Sequence, residues 1–307
     1  MNKFRNIFTI RYASVLMVFA VALLFTFSSQ VQSLGSKSEK ELFFEPVINQ
    51  LAIRGVSKEF IDKLMNDENT NFNEKLVKIN VISGMTKSNS PYEKLYNAAS
   101  VKKSKTFLEE NDSVLTEAQE KYGVPKEIIT SLLWIETKHG DYLGNNHLPS
   151  VFLSVAMAGE TDYKNQNIQN LTNSFEGNSD ELPELLVKLN QRTKKKVDWA
   201  LNELVSLEKL DKVCPKPANK LYGSWAGAFG MPQFLPSSYL QWAVDGDGNG
   251  KIDLFNKVDA IYSVANYLKT NGWKTESPEA QRTAVFHYNN STDYVNAVLT
   301  LAEKIKI

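Results

Sequence analysis

This chain of 307 residues has one cysteine, three histidines and no net charge. Cys214 is its single cysteine, so no disulfide can form within the chain and the apolar core has to hold the fold together. Lys plus Arg and Asp plus Glu number 35 each, whereas nucleic-acid binding usually demands a clear basic excess. The three histidines, His139, His147 and His287, lack the spacing of a zinc site. These shortages argue against a disulfide scaffold, a nucleic-acid partner and a zinc enzyme.

Long alternating strand patterns are also absent, and apolar residues recur instead at helical spacing. The segment "EPVINQLAIRGVSKEFIDKLMND" predicts two helices joined at Gly55, with Ser57 as the N-cap of the second. The segment "SVLTEAQEKYGVPKEIITSLLWIETKHG" predicts two more, separated at residues 123–125. Residues 181–210 resume the helical pattern, whereas residues 161–180 show no periodicity and are predicted to be a loop or irregular insert. The sequence therefore predicts a mainly α fold.

A single long apolar run lies near the N-terminus, from Ala13 to Phe27. Basic residues precede it and small or polar residues follow it through Ser33, which is the pattern of a secretory signal peptide. The run is shorter than the roughly 20 residues that a membrane-spanning helix needs, although an uncleaved anchor is the alternative. No cysteine follows the run directly, so a lipoprotein anchor is not expected. We expect a signal peptide over residues 1–33 and a periplasmic protein, which contacts the membrane only if that segment stays uncleaved.

Glu136 is an acid on the apolar side of a helix predicted over residues 124–140. At 100° per residue it falls on the same side as Ile129, Leu132 and Leu133. Burial and the nearby helix C-terminus both disfavour its anion, so its pKa is expected above the usual ~4.3. A carboxyl that stays protonated near neutral pH can act as a general acid. The alternative is a buried glutamate paired with Lys or Arg for structural reasons.

A second catalytic carboxylate is not indicated by the sequence. Ordinary retaining and inverting glycosidases use two, roughly 5–9.5 Å apart. Asp141 is close to Glu136 in sequence but lies beyond the predicted helix end at Gly140, so its direction cannot be predicted.

A glycine-rich segment, "LYGSWAGAFGMPQFLPSSY", combines small residues with aromatic and hydrogen-bonding side chains. Gly223, Gly227 and Gly230 allow a close approach of the backbone to another chain segment or a ligand. Hydrogen-bonding groups such as Gln233 lie among aromatic rings, an arrangement that suits sugars because they have both hydroxyls and apolar faces. The pattern fits a tightly packed helical corner equally well.

The segment "DGDGNGKID" has the residue types of an EF-hand loop at successive ligand positions. Positions 1, 3, 5, 6 and 7 are Asp245, Asp247, Asn249, Gly250 and Lys251, the last through its carbonyl. Position 12 is Asn256 rather than Glu, and Asp259 is the nearest carboxylate that could complete the site. Oxygen ligands of this kind favour Ca²⁺ over a transition metal. A single loop predicts a structural calcium site, with a metal-free Asp/Gly turn as the alternative.

Together these segments resemble the B-type lytic murein transglycosylases, soluble and membrane-bound bacterial enzymes that cleave peptidoglycan. The resemblance runs from about Glu117 to Val298. It rests on "GVPKEIITSLLWIET", "GSWAGAFG..QF.PSSY", the calcium loop, "VDAIYSVANYLKTNGW" and "YNNS..YV". Several separated segments in the same order are far more specific than any one of them.

The resemblance implies a lysozyme-like catalytic core with a small β element over residues 116–307, following an N-terminal helical region over residues 36–115. It implies that Glu136 is the single catalytic acid/base. Ser224 matches a residue that hydrogen-bonds to that carboxyl. The residues that match groups lining the saccharide cleft are Gln233, Tyr267, Tyr288, Asn289 and Tyr294. The implied calcium ligands are Asp245, Asp247, Asn249, the Lys251 carbonyl and Asp259, on a loop of residues 245–259 that is longer than the standard one.

The implied reaction cleaves the β-1,4 bond between N-acetylmuramic acid and N-acetylglucosamine and forms a 1,6-anhydromuramyl product. The implied partner is a peptidoglycan glycan strand, with Ca²⁺ as the one expected cofactor and no organic cofactor. A hydrolytic muramidase and a non-catalytic peptidoglycan-binding protein are the alternatives. The sequence departs from the family at His139, where an aromatic is usual, at Asn249, where an Asp is usual, and in the length of a polar insert over about residues 161–192.

Overall fold

A computed structural model describes residues 37–83, 85, 92–175, 177 and 179–306 of the chain. The predicted signal peptide lies outside the described residues. The first seven helices are α1 (Glu39–Phe43), α2 (Glu45–Ile53), α3 (Lys58–Asn66), α4 (Glu74–Val81), α5 (Ala98–Glu110), α6 (Asp112–Tyr122) and α7 (Lys126–Thr137). The next seven are α8 (Leu148–Met157), α9 (Thr161–Asn173), α10 (Leu182–Asp211), α11 (Pro236–Trp242), α12 (Lys257–Thr270), α13 (Pro278–Tyr288) and α14 (Thr292–Ile305). The predicted mainly α fold is confirmed.

Helix ends in the first half of the chain follow the sequence signals. The Ser57 side chain accepts a hydrogen bond from the backbone N–H of Phe60, which makes it the N-cap of α3. Gly123 ends α6 with φ 68°, a left-handed conformation that glycine adopts without steric cost. Pro125 then occupies the N-cap position of α7. The predicted joint at Gly55 and the predicted separation at residues 123–125 are therefore confirmed.

The prediction of an irregular segment over residues 161–180 is wrong for its first part, because α9 occupies Thr161–Asn173. Asn167 and Leu171, one turn apart, form the buried side of this helix. The Tyr163 ring lies 4.6 Å from that of Phe72, measured between centroids. A polar residue at an inward-facing position hid the periodicity, since an apolar stripe is the usual helical signal.

The small β element lies between the helices and joins the glycine-rich segment to the chain after α7. Strand β1 (Asn146–His147) pairs antiparallel with β2 (Tyr222–Gly223), with Asn146 opposite Gly223. Isolated bridges join Gly223 to Phe229 and Phe229 to Phe234. The glycine-rich segment therefore folds as a compact β corner, and the alternative of a helical corner is wrong.

Helix α7 lies at the centre of a compact unit that begins at Phe44. It packs against α5, α12 and α14, and its residues from Ile128 to Ile135 are all buried. The prediction of a one-sided apolar stripe was thus too narrow, because the helix is enclosed on every side. One apolar core extends from Phe44 to Ile305, so it spans the predicted boundary at residues 115/116.

Residues 37–43, which contain α1, belong to a separate unit. In the part of the chain that the structure describes, no helix has both the length and the apolarity required to cross a membrane.

Candidate active site

Glu136 lies in the last turn of α7, next to a tightly fixed helix end. The Thr137 hydroxyl donates to the backbone carbonyl of Met231 at 2.9 Å, which ties the end of α7 to the β corner. Lys138 and His139 follow with φ 52° and 61°, the left-handed region that non-glycine residues seldom adopt. The chain therefore turns sharply after Glu136, and the carboxyl is held at the end of a rigid helix.

His139 lies in this turn and packs as an aromatic ring. Its ring stacks on Phe107 with centroids 3.9 Å apart, and Nε2 lies 3.0 Å from the Thr130 carbonyl. Burial lowers the pKa of His139 to about 4, so the ring is neutral at physiological pH and Nε2–H donates to that carbonyl. Neutral His139 therefore packs as a flat ring against Phe107.

Among the residues that the structure describes, the Glu136 carboxyl has one hydrogen-bond donor. The Tyr294 hydroxyl donates to its Oε1 at 2.5 Å. Burial raises the pKa of Glu136 to about 7, and the bond from Tyr294 acts in the opposite direction because it favours the anion. None of the ion pairs among the described residues includes Glu136, so the alternative of a structural Glu–Lys or Glu–Arg pair does not hold.

Asp141 does not form a pair of carboxyls with Glu136. Its side chain is 59% exposed, and it lies 3.9 Å from the Lys103 ammonium. No carboxylate in the described part of the chain acts on the pKa of Glu136, which burial raises and the bond from Tyr294 lowers. Glu136 is therefore a solitary acid at this site.

Three tyrosines predicted to line the cleft lie together beside Glu136. The Tyr267 and Tyr288 ring centroids are 4.6 Å apart, and the stacked Tyr288 and Tyr294 rings are 6.4 Å apart. The Tyr288 hydroxyl donates to the Pro232 carbonyl at 2.5 Å. Burial, and then the charge on Glu136, raise the pKa values of Tyr288 and Tyr294 well above the usual range, so both hydroxyls remain protonated donors. Tyr294 is only 1% exposed and so contacts Glu136 from inside the core.

Ser224 has contacts other than the one implied by the resemblance. Its hydroxyl oxygen accepts the backbone N–H groups of Ala226 and Ala228, at 3.3 and 3.2 Å. Within the described residues no hydrogen bond joins Ser224 to Glu136, and Tyr294 occupies that role instead. The reason lies in the turn after β2, where the Ser224 hydroxyl satisfies two amides of its own loop.

Gln233 and Asn289 are both held by backbone contacts near the tyrosines. Gln233 has φ 54°, and its side-chain amide donates to the Gly230 carbonyl at 2.9 Å and to the Leu143 carbonyl at 3.2 Å. Asn289 follows the end of α13, and its side chain hydrogen-bonds to the Tyr92 hydroxyl. The Asn289 amide is thus linked to the tyrosine cluster through Tyr92, whereas the Gln233 amide is fixed by two backbone carbonyls.

Tyr92 is a site residue that sequence reasoning missed. It begins a 3₁₀ helix, Tyr92–Tyr96, and its ring meets Tyr294 edge-on with centroids 5.7 Å apart. Burial and the charge on Glu136 raise the pKa of Tyr92. The sequence offered no signal for it, because Tyr92 lies outside the segments that carried the resemblance and comes from the N-terminal region.

The acidic loop brings three of the five predicted calcium ligands together. Carboxylate oxygens of Asp245, Asp247 and Asp259 all lie within 4.8 Å of one another. Asp259 is fully buried and accepts the backbone N–H groups of Gly246 and Asp253, at 2.8 and 2.7 Å. Burial, and then the charges of Asp247 and Asp245, raise the pKa of Asp259. Three carboxylates that converge in this way fit a hard divalent cation.

The other two predicted ligands, Asn249 and Lys251, lie in the exposed part of the same loop. Oδ1 of Asn249 accepts the Lys251 backbone N–H at 2.9 Å, which closes a local turn.

Residues 40–285 match the family described as the transglycosylase SLT domain. The chain belongs to this family. It is similar to the membrane-bound lytic murein transglycosylase B of Escherichia coli K12, with 34% identity over 167 residues. That match covers 54% of this chain and 37% of the relative, so the chain aligns with little more than a third of the relative's length.

Solved structures show that the SLT chain shares its fold with soluble transglycosylases. SltB3 of Pseudomonas aeruginosa, in complex with NAG-anhNAM-pentapeptide, has a TM-score of 0.67 and 19% identity over 88% of this chain and 80% of that chain. SltB1 of the same organism has a TM-score of 0.65 and 23% identity, over 85% and 97% of the two chains. Escherichia coli Slt35, in complex with calcium, has a TM-score of 0.64 and 20% identity, over 85% and 92%.

Proposed function

We propose that this protein is a lytic murein transglycosylase that cleaves the β-1,4 bond between N-acetylmuramic acid and N-acetylglucosamine. The observation that carries the proposal is the solitary Glu136 carboxyl, whose pKa is raised to about 7 by burial. Such a group is protonated often enough near neutral pH to donate a proton and is ionised often enough to accept one. Family membership and the name of the Escherichia coli relative support the same activity.

In the first step Glu136 donates its proton to the glycosidic oxygen, and the bond to the muramyl anomeric carbon breaks. The substrate's own N-acetyl group assists at that carbon in place of a second carboxylate. The Glu136 carboxylate then takes the proton of the muramyl C6 hydroxyl, which closes on the anomeric carbon. The closure is intramolecular, and oriented groups of this kind reach effective molarities of about 10⁵ M or more.

Four of the residues predicted for the cleft remain candidates for contact with the glycan. Tyr267 and Tyr288 offer aromatic rings, while Gln233 and Asn289 offer amides beside them. A bound NAG-anhNAM-pentapeptide in the SltB3 structure supports a strand of alternating amino sugars as the substrate. Ser224 is proposed to act from the adjoining loop, where its hydroxyl proton is available to an acceptor.

The mass of the released sugar ends tests the reaction directly. We expect digestion of purified sacculi to give muropeptides with 1,6-anhydromuramyl ends, lighter by one water than reducing ends, because no carboxylate of the described residues lies beside Glu136 to activate water. Mass spectrometry of the soluble products distinguishes the two. Reducing ends alone would indicate a hydrolytic muramidase, and binding of sacculi without release of fragments would indicate a non-catalytic wall-binding protein.

We also propose that Asp245, Asp247 and Asp259 hold a structural calcium ion, with Asn249 and the Lys251 carbonyl as further ligands. Asp259 is in the first turn of α12, whereas the other ligands lie in the loop after α11. The ion would therefore tie the loop to α12. A calcium complex of the structurally similar Slt35 supports this assignment.

Removal of calcium should lower the thermal stability of the protein. At a calcium concentration about 100 times the Kd, binding adds about 2.7 kcal/mol to the free energy of unfolding, so a chelator should lower the Tm by about 5 °C or more. Calorimetry of Asp245→Asn should show no effect of chelator, while Asp162→Asn, an exposed aspartate in α9, should respond like the native protein. An identical native Tm in calcium and in chelator would contradict the assignment.

We place the protein in the periplasm, where its proposed substrate lies. The signal-peptide pattern of residues 1–33 supports export.

A further inference from the structure

Tyr294 is held in place before any substrate binds. It lies in the first turn of α14, where the Ser291 hydroxyl oxygen accepts its backbone N–H at 3.3 Å and caps the helix. Its ring is buried, with Tyr92 edge-on at 5.7 Å and Tyr288 stacked at 6.4 Å. Three separate elements therefore fix the direction in which the Tyr294 hydroxyl points.

The titratable groups that respond to the Glu136 carboxyl are tyrosines, and a second carboxylate, Asp293, acts on one of them, Tyr92. Among the described residues, Tyr92, Tyr288 and Tyr294 are the titratable groups whose ionisation depends on the charge of Glu136. They come from the 3₁₀ helix, α13 and α14. Of these hydroxyls, only that of Tyr294 donates to the carboxyl, since Tyr288 donates to Pro232.

The geometry of this bond assigns different tasks to the two carboxyl oxygens. Oε1 accepts from Tyr294 at 2.5 Å, so in the acid form the proton resides on Oε2. A carboxyl without this bond could carry its proton on either oxygen, and only one of the two can face a glycosidic bond.

We propose that Tyr294 is the positioning residue of the catalytic acid: its hydroxyl occupies Oε1, directs the proton of Glu136 to Oε2, and stays there when the carboxylate forms. Tyr92 and Tyr288 hold the Tyr294 ring in this place. This inference rests on the proposed function, in which Glu136 donates a proton and then takes one back. Tyr294 therefore acts through Glu136 and does not itself contact the glycan.

The variant Tyr294→Phe removes the hydroxyl and keeps the ring. Because the bond favours the anion, its loss should raise the pKa of Glu136 above the native value of about 7. A titration of ¹³C-labelled glutamate carboxyls by NMR, with the Glu136 signal identified from Glu136→Gln, should show the midpoint move to higher pH by roughly one unit. This measurement needs no substrate, so it tests Tyr294 even if the proposed function fails.

Activity gives a second readout on the same variant. The acid form of Glu136 would persist to higher pH, so the alkaline limb of the kcat/KM profile should move to higher pH along with the NMR midpoint. We expect kcat to fall by about ten- to a hundredfold, because the proton is no longer directed to one oxygen. A purely structural role would lower kcat and Tm but would leave the alkaline limb in place.

Tyr262→Phe is the matched control, since it removes a tyrosine hydroxyl that donates to another glutamate, Glu117, at 3.2 Å. It should leave the Glu136 titration unchanged. Tyr92→Leu keeps the Tyr294 hydroxyl but removes the ring edge that holds it, so it should move the midpoint in the same direction by less. An unchanged Glu136 midpoint in both Tyr294→Phe and Tyr92→Leu would overturn the proposal.

Discussion

Glu136→Gln is expected to abolish the release of soluble muropeptides from purified sacculi. General acid–base assistance alone is worth about 10²–10⁴-fold in rate, and here one carboxyl provides both the acid and the base, so the loss should reach the upper end of that range or exceed it. Gln keeps the size and hydrogen-bonding shape of the protonated acid, including an oxygen that can accept from Tyr294. The measurement is the rate of muropeptide release, followed by mass spectrometry. Full activity in this variant would exclude Glu136 as the catalytic group.

Glu127→Gln is the matched control, because it makes the same substitution in the first turn of the same helix. It should retain native activity. The folding of Glu136→Gln itself can be verified through its stability, since the pKa of Glu136 is about 7 in the folded protein and ~4.3 in the unfolded chain. The folded state therefore disfavours the Glu136 anion. Its ionisation lowers the free energy of unfolding of the native protein, beginning above pH ~4.3 and reaching the full amount above about pH 7. The free energy of unfolding of Glu136→Gln should equal that of the native protein near pH 4 and exceed it by roughly 1–3 kcal/mol at pH 8.

Gly144→Ala should strongly destabilise the fold beside the site. A Cβ at Gly144 would lie 2.2 Å from the carbonyl oxygen of Gly223 and 2.7 Å from the backbone N of Ser224. These are backbone atoms of the β corner and cannot rotate away, and φ at Gly144 is +85°. We expect the free energy of unfolding to fall by about 3 kcal/mol or more, and activity to fall as well because the Ser224 loop must shift. Urea denaturation and the muropeptide assay measure the two effects.

Gly55→Ala separates the steric clash from backbone strain. Gly55 has φ +82°, nearly the value at Gly144, but no atom of the described residues lies within 4 Å of its added Cβ. Gly55→Ala should therefore lower the free energy of unfolding by about 1–2 kcal/mol, because only the left-handed backbone conformation disfavours alanine there. If Gly144→Ala and Gly55→Ala lower the free energy of unfolding equally, the close contact between residue 144 and the β corner does not cause the destabilisation.

The sequence was a good guide where local chemistry decides the structure. Ser57 predicted a helix start, and the glycine and proline at residues 123–125 predicted a helix break, because caps and breakers act within a few residues. The raised pKa of Glu136 was also predictable, since burial within an apolar helix is enough to disfavour a charge. The acidic spacing from Asp245 to Asp259 likewise anticipated the carboxylates that converge there.

Contacts between distant segments could not be predicted in the same way. Nothing in the sequence pairs Tyr294 or Tyr92 with Glu136, because these partners meet only through the packing of α14 and the 3₁₀ helix on α7. Resemblance to a family led to Ser224 as the partner of the carboxyl, whereas the Ser224 hydroxyl accepts amides of its own loop. Helix α9 was missed for a related reason, since Asn167 is buried by tertiary packing despite its polarity.

The core that crosses residues 115/116 has a practical consequence for anyone who wishes to excise or transplant the catalytic part. A fragment that starts at residue 116 would lose Tyr92, the stacking partner Phe107, and the Leu95 carbonyl that accepts from the Trp134 indole at 2.9 Å. It would leave one flank of α7 bare to water. A fragment that keeps these contacts has to start before Tyr92, and the compact unit that contains them begins at Phe44.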